Sequence, residues 1–336
     1  MRNYYFLGIF ILTCFLFFSC SKTGENSSHL VNGQGTTTPP PTTTKADTIT
    51  DPATNKVYIT SGSISLNGAH DQIINGLLIQ SSSGICINLN NCNNITIRNC
   101  KLGPSSNTGI QLMNCTNITI DSCYISNVST GLYALRGTSI KFTNNIVKNV
   151  QGPFPQGQML QFDNVKGAGN QILNNKCENV AGSSNPEDVI SMYQSNGTAS
   201  DPITISGNWI RGGGPSKTGS GIVLGDKGGS YLVAKDNILV NTGNCGIGIA
   251  GGSNIQVINN KVYSSKTSVS NVGIYIWNQS NSGCSLNTIS GNQVNWTNAA
   301  GAPNNNWNEG NCGTVSGWVS NIWGAPIDSS ILPIQF

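Results

Sequence analysis

Charge is scarce in this chain of 336 residues: Asp, Glu, Lys and Arg together make up 9%. Histidine is scarcer still, with His29 and His70 as its two copies. No long stretch carries apolar residues at a 3.6-residue period, and good helix formers are few. Each shortage excludes something. A net charge of +3 with no basic block excludes a nucleic-acid partner, because phosphate binding needs clustered Lys and Arg. Two histidines and no Cys-x-x-Cys pair exclude zinc. The missing helical period excludes a bundle and leaves β structure, which the 40 glycines and the many Asn, Ser and Thr residues suit as turn formers.

One stretch imitates a phosphate loop: "RGGGPSKTGSGIVLGDKGG" (211–229). A phosphate loop needs Lys-Ser/Thr directly after its last glycine, at a helix start. Here Lys217 precedes Gly219, and "SGIVLGD" is short, β-branched and bounded by glycine, as a strand is. No nucleotide is expected.

The first twenty residues read as a targeting segment. Arg2 precedes the apolar run "YYFLGIFILTCFLFF", and "FFSC" ends at Cys20. This resembles a bacterial lipoprotein signal, which implies lipidation of Cys20 and anchoring at the cell envelope; the alternative is an ordinary secretory signal with a chance cysteine. Residues 21–50, with prolines set in a threonine run, read as a disordered tether spanning roughly 30 Å as a flexible coil.

Beyond it the chain repeats. "GICINLNNCNNITIRNCKL" (84–102) and "TGIQLMNCTNITIDSCYI" (108–125) align without a gap, with Cys92 and Cys115, and Cys100 and Cys123, at an offset of 23. A turn marker follows at Gly76, Cys100, Cys123, Asn145, Asn175, Asn208, Asn237, Asn260 and Asn292. Short apolar strands at such a period cannot bury their own side chains, but stacked coils can. Asn at the turn is expected to take left-handed backbone angles and to stack from coil to coil. On these residues the chain resembles the right-handed parallel β-helix superfamily that contains the pectate lyases. The resemblance implies an all-β, single-stranded solenoid of about nine coils over 51–303 and an action on polysaccharide. Residues 304–336 are expected to cap it, with Trp307, Trp318 and Trp323 closing the column. Eleven cysteines in an exported chain raise the question of disulfides. Those at equivalent repeat positions read instead as small stacked hydrophobes, and bridges across coils stay open.

The site reading rests on loop length. Marker spacing is 24, 23 and 22, then 30, 33 and 29, then 23 and 32. The three consecutive long coils add residues before a strand of pattern G-I-x-I/L, at 150–158, 178–188 and 211–220. Three adjacent long loops beside a flat strand face make a groove. Asp163, Glu187, Asp188 and Asp226 fall at its strand edges, with Arg211 and Lys217 on the third loop and Lys227 after its strand. Paired carboxylates suit glycoside hydrolysis, and the four acids suit calcium. In a lyase Lys217, Lys227, Arg211 or Tyr193 would take the proton. Tyr133, Tyr193, Tyr275 and Trp277 offer faces for sugar rings. The N-T-D, G-H-G and R-I-K motifs of polygalacturonases and the D-P-H-D/E motif of mannuronan epimerases are absent, so no catalytic residue carries over from the resemblance. The expectation is a monomeric, lipid-anchored lyase or hydrolase acting on polysaccharide, acidic glycans included; the alternative is a non-catalytic glycan-binding or adhesion module.

Overall fold

The structure is a computed structural model that describes residues 47–52, 55–153 and 157–334. Cys20, the signal and most of the tether lie outside the described residues. Regular structure begins inside the span read as tether: Thr48–Thr50 form a strand that pairs antiparallel with Val57–Ser61.

From there the chain winds as a right-handed parallel β-helix of about ten coils. Each regular coil gives one strand to each of three sheets, of 12, 10 and 10 strands. The coil Ile87–Asn90, Asn93–Arg98, Lys101–Ser105 lies under Ile110–Met113, Thr116–Asp121, Tyr124–Ser126. The 23-residue offset becomes register, with Ile95 opposite Ile118 and Ile97 opposite Ile120. Strand alternation turns these residues inward. The resulting column, including Ile110, Leu132, Leu160, Ile190, Ile222, Ile247 and Ile274, is fully buried. Each such side chain contributes roughly 1.5–3 kcal/mol by leaving water.

The markers do something other than the turn itself. The left-handed residue is the one before, at Asn99, Ser122, Asn144, Asn174, Gly207, Asp236, Asn259 and Gly291. Gly76 sits at that earlier position, with positive φ, one residue out of step with the other markers. The marker asparagines point inward with no exposure. Asn208 shows the unit: Nδ2 donates to Asn237 Oδ1 at 2.9 Å and to Ile172 O at 3.0 Å. Its Oδ1 accepts from Asn175 Nδ2 at 2.9 Å and from the Asn175 backbone N–H at 3.0 Å. The same pattern joins Asn145, Asn175, Asn208, Asn237, Asn260 and Asn292, and ends on Asn321. Every amide is satisfied in a dry interior, where an unpaired polar group would cost about 1–3 kcal/mol. Cys100 and Cys123 hold the equivalent places in the first coils, their thiols facing Ile74 O and Ile97 O at 3.8 Å.

The seven cysteines Cys86, Cys92, Cys100, Cys115, Cys123, Cys177 and Cys245 are free and buried. Cys284 and Cys312 form a disulfide that the repeat pattern did not single out. The helix also runs past residue 303. Asn306–Asn308 pairs in parallel with Val272–Ile276, and Ile322–Trp323 with Gln293–Trp296. The segment 304–336 is therefore partly a further coil. Trp318 and Trp323 pack together against the end of the core, with ring centroids 5.2 Å apart, as a cap requires. Trp307 does not join them; it faces outward on the sheet that carries the site.

Candidate functional site

The third sheet runs from Ile64–Asn67 to Asn306–Asn308. Its outward positions are in register from Tyr133 through Gln161, Ser191, Val223, Gly248 and Tyr275 to Trp307. Over the last coils of this face lies a cavity of about 610 Å³. Glu187, Asp188, Asp226, Lys217 and Tyr193 line one half; Cys245, Val272, Tyr275, Trp277 and Trp307 line the other.

Backbone devices build it. The loops 178–188 and 211–220 lie against each other because glycine permits contact: a Cβ on Gly214 would stand 1.8 Å from Pro186 O, and one on Gly219 2.3 Å from Glu187 O. Close approach to a neighbouring loop is thus what the glycines of 211–219 supply. The Thr218 hydroxyl donates to Glu187 Oε1, and the Ser220 N–H donates to Asp188 Oδ1 at 2.7 Å. A β-bulge aims the third acid. Val223 opposes Ser191, but Asp226 opposes Tyr193, so the strand Ser220–Asp226 holds one residue more than its neighbour. Strict alternation through the same residues, with no bulge, would send Asp226 into the core.

Burial governs the electrostatics. Loss of solvent pushes Asp188 up to about 8, with the charges of Glu187 and Asp226 adding to the effect and the Ser220 N–H opposing it. Part of its surface still reaches the cavity. Burial also raises Asp226, against the opposing pull of Lys227. Desolvation raises Cys245 to about 12 and keeps Tyr275 protonated.

The other sequence candidates are placed elsewhere. Arg211 ends the strand Trp209–Arg211 on the 12-stranded sheet, where its guanidinium donates to Leu332 O at 3.1 Å and to Pro333 O; it ties down the C-terminal segment and does not reach the cavity. Asp163 and Tyr133 lie on the coils before the cavity. The Tyr133 hydroxyl donates to Asp163 Oδ2 at 2.8 Å, and burial together with that bond raises the phenol to about 12. Lys227 is exposed just past its strand, in left-handed backbone, outside the cavity lining. The calcium expected at Asp163, Glu187, Asp188 and Asp226 would need them to stand together. Among the described residues no three of His, Cys, Asp and Glu stand together as metal ligands, and Asp163, Glu187 and Asp188 each spend an oxygen on a protein donor.

Sequence reasoning missed Thr218, Asn244, Cys245, Val272 and Trp307 as lining residues. For Trp307 the signal was present but assigned to the cap; it packs at 5.5 Å from Trp277, tilted by 59°.

Residues 62–222 match the family described as a right handed beta helix region. No curated protein matches the sequence. The matches to solved structures are at low identity, and three of them follow. PfbA, a surface adhesin of Streptococcus pneumoniae, is 13% identical with a TM-score of 0.45, covering 69% of this chain and 64% of its own. The chain thus spans just under two thirds of that adhesin. An alginate lyase from Paenibacillus sp. str. FPU-7 is 14% identical with a TM-score of 0.42, covering 77% and 89%. The catalytic domain of an alpha-1,3-glucanase is 15% identical with a TM-score of 0.37, covering 80% and 57%.

Proposed function

We propose that this cavity hydrolyses a glycosidic bond in a glycan of low charge. The observation that carries the reading is Asp188: a carboxyl that keeps its proton near neutral pH, beside two further carboxyls in a cavity that aromatic side chains also line. Glycoside hydrolysis uses one protonated and one ionised carboxyl. Asp188 gives its proton to the leaving oxygen as the bond to the anomeric carbon breaks. Glu187 or Asp226 takes a proton from the water that adds to that carbon. Trp277, Trp307 and Tyr193 offer apolar faces to sugar rings.

Charge favours a hydrolase over a lyase. A lyase neutralises a uronate carboxylate with a cation, yet Lys217 is the one cation among the described residues of the lining, set against three carboxyls. Arg211, the other candidate, is committed to the C-terminal segment. An acidic glycan would find a single lysine for its carboxylates here.

A second reading has its own support. Asp188 and Glu187 both accept hydrogen bonds from the loop 211–220; in this reading they hold a wall of a binding cleft that performs no chemistry. In either reading the chain is exported and held at the bacterial cell envelope by a lipid on Cys20. The test is a panel of neutral and uronate-containing oligosaccharides, scored for reducing ends, for unsaturated-uronate absorbance and for retention. Neutral chains cleaved by the wild type and spared by Asp188→Asn support the hydrolase. Unsaturated products overturn it in favour of a lyase, and retention without products in favour of the binder.

A further inference from the structure

The cavity has two chemically different halves, and the apolar one is built by a specific substitution in the outward column. Between Val223 and Tyr275 that column carries Gly248. A Cβ at Gly248 would stand 2.1 Å from Tyr275 Cζ, 2.2 Å from Cε1 and 2.4 Å from Oη. The Tyr275 ring therefore lies down along the sheet, over the place where the neighbouring coil has no side chain. An outward tyrosine on a strand would otherwise stand up into solvent; this one is 6% exposed. With Cys245 and Val272 it forms a small apolar cluster separate from the main core. Trp277 and Trp307 stand beside it, 37% and 39% exposed.

Several polar atoms around this floor are already committed, while the Ser220 hydroxyl at its edge has no partner. Gln279 Nε2 donates to the Tyr275 hydroxyl at 3.3 Å. The Cys245 thiol donates to Asn244 Oδ1, and Asn244 Nδ2 donates to Val269 O at 2.7 Å. A sugar face rich in hydroxyls would lose water here and gain few partners, which is costly. A methyl group would lose nothing and bury its surface.

We infer that Tyr275, laid flat over Gly248 and joined by Cys245, Val272, Trp277 and Trp307, forms a subsite for a methyl-bearing sugar unit, one whose hydroxyl is replaced by hydrogen or capped by an acetyl group. The inference rests on the reading of the cavity as a glycan site and names the unit that sits beside the carboxyl half. Tyr275 and Gly248 are specificity determinants in this scheme and take no part in bond cleavage.

The experiment measures binding, so it does not depend on catalysis. Tryptophan fluorescence and calorimetry are used to titrate the full chain with matched disaccharides: a 6-deoxyhexose form, an O-acetylated form and the parent hexose form. Methyl burial and the avoided unpaired hydroxyl together give an expected preference of about tenfold or more over the parent. The deoxy and acetyl arms identify the source of the methyl. Gly248→Ala, which forces the ring up, and Tyr275→Ala, which removes it, should each bring the preference to near unity. Tyr275→Phe should keep the preference, because the ring and not the hydroxyl makes the floor. Equal affinities for all three sugars in the wild type, or a preference that survives both Gly248→Ala and Tyr275→Ala, overturns the inference. Failure of all three to bind overturns it together with the glycan reading, whereas binding without cleavage overturns the hydrolase reading alone.

Discussion

Replacing Asp188 with asparagine should make the protein more stable at high pH while it abolishes turnover. The amide keeps an acceptor for the Ser220 N–H, so the 2.7 Å bond survives the change. What disappears is the cost of ionising a buried acid. Folded Asp188 holds its proton to about pH 8, whereas the ordinary value is 3.8. The sign follows from linkage: stability is full below 3.8, falls as the unfolded chain ionises first, and levels off above about 8. Each pH unit in that window is worth about 1.36 kcal/mol, so a dry site would lose on the order of 5 kcal/mol. Solvent in the cavity screens the charge, and a net loss of about 2–3 kcal/mol is the working figure. Urea unfolding followed by tryptophan fluorescence at pH 4 and pH 8.5 checks it. The variant should match the wild type at pH 4 within about 0.5 kcal/mol and exceed it by about 2–3 kcal/mol at pH 8.5. A variant equally destabilised at both pH values would refute the reasoning and make Asp188 a structural clasp for the 211–220 loop.

Asn208→Ala should cost about 3–6 kcal/mol, because it strands the Asn175 N–H, one Asn175 amide hydrogen and Ile172 O in a dry core; exchange at the Asn175 amide should rise with it. Asn114→Gly, at an exposed left-handed turn, should cost less than about 1 kcal/mol in the same assay. Cys20→Ala should move the protein from the membrane fraction to the soluble one, and an unchanged distribution would count against a lipid anchor.

The winding was legible because its determinants repeat. An offset of 23 between Ile95 and Ile118 is both a sequence observation and a register. The role of the marker was misjudged by one residue, since a turn of two residues leaves open which of them takes positive φ; the burial of Asn145 and its successors decides it. The site was legible where loop length controls it, which brought Glu187, Asp188, Asp226 and Lys217 to one cavity. It failed for Arg211 because proximity to a loop in sequence says nothing about which of three faces a short strand occupies. Trp307 was lost because Asn- and Gly-rich spacing hides the last coil, and Asn321 because no apolar strand of the usual pattern announces it. The bulge before Asp226 had a signal, the extra residue in "SGIVLGD", whose value depends on knowing the neighbouring strand.

The asparagine ladder is indifferent to how much chain intervenes between its rungs. Asn145 reaches Asn175 across 30 residues and Asn175 reaches Asn208 across 33, yet Asn237 reaches Asn260 across 23 with bonds of nearly the same length. The excursions at 178–188 and 211–220 leave and rejoin the coil without disturbing it. The residues that hold the rod together and the residues that shape its cleft are therefore almost disjoint sets. Such a scaffold can exchange its loops wholesale, by recombination or at the bench, and acquire a new ligand while its melting behaviour stays the same.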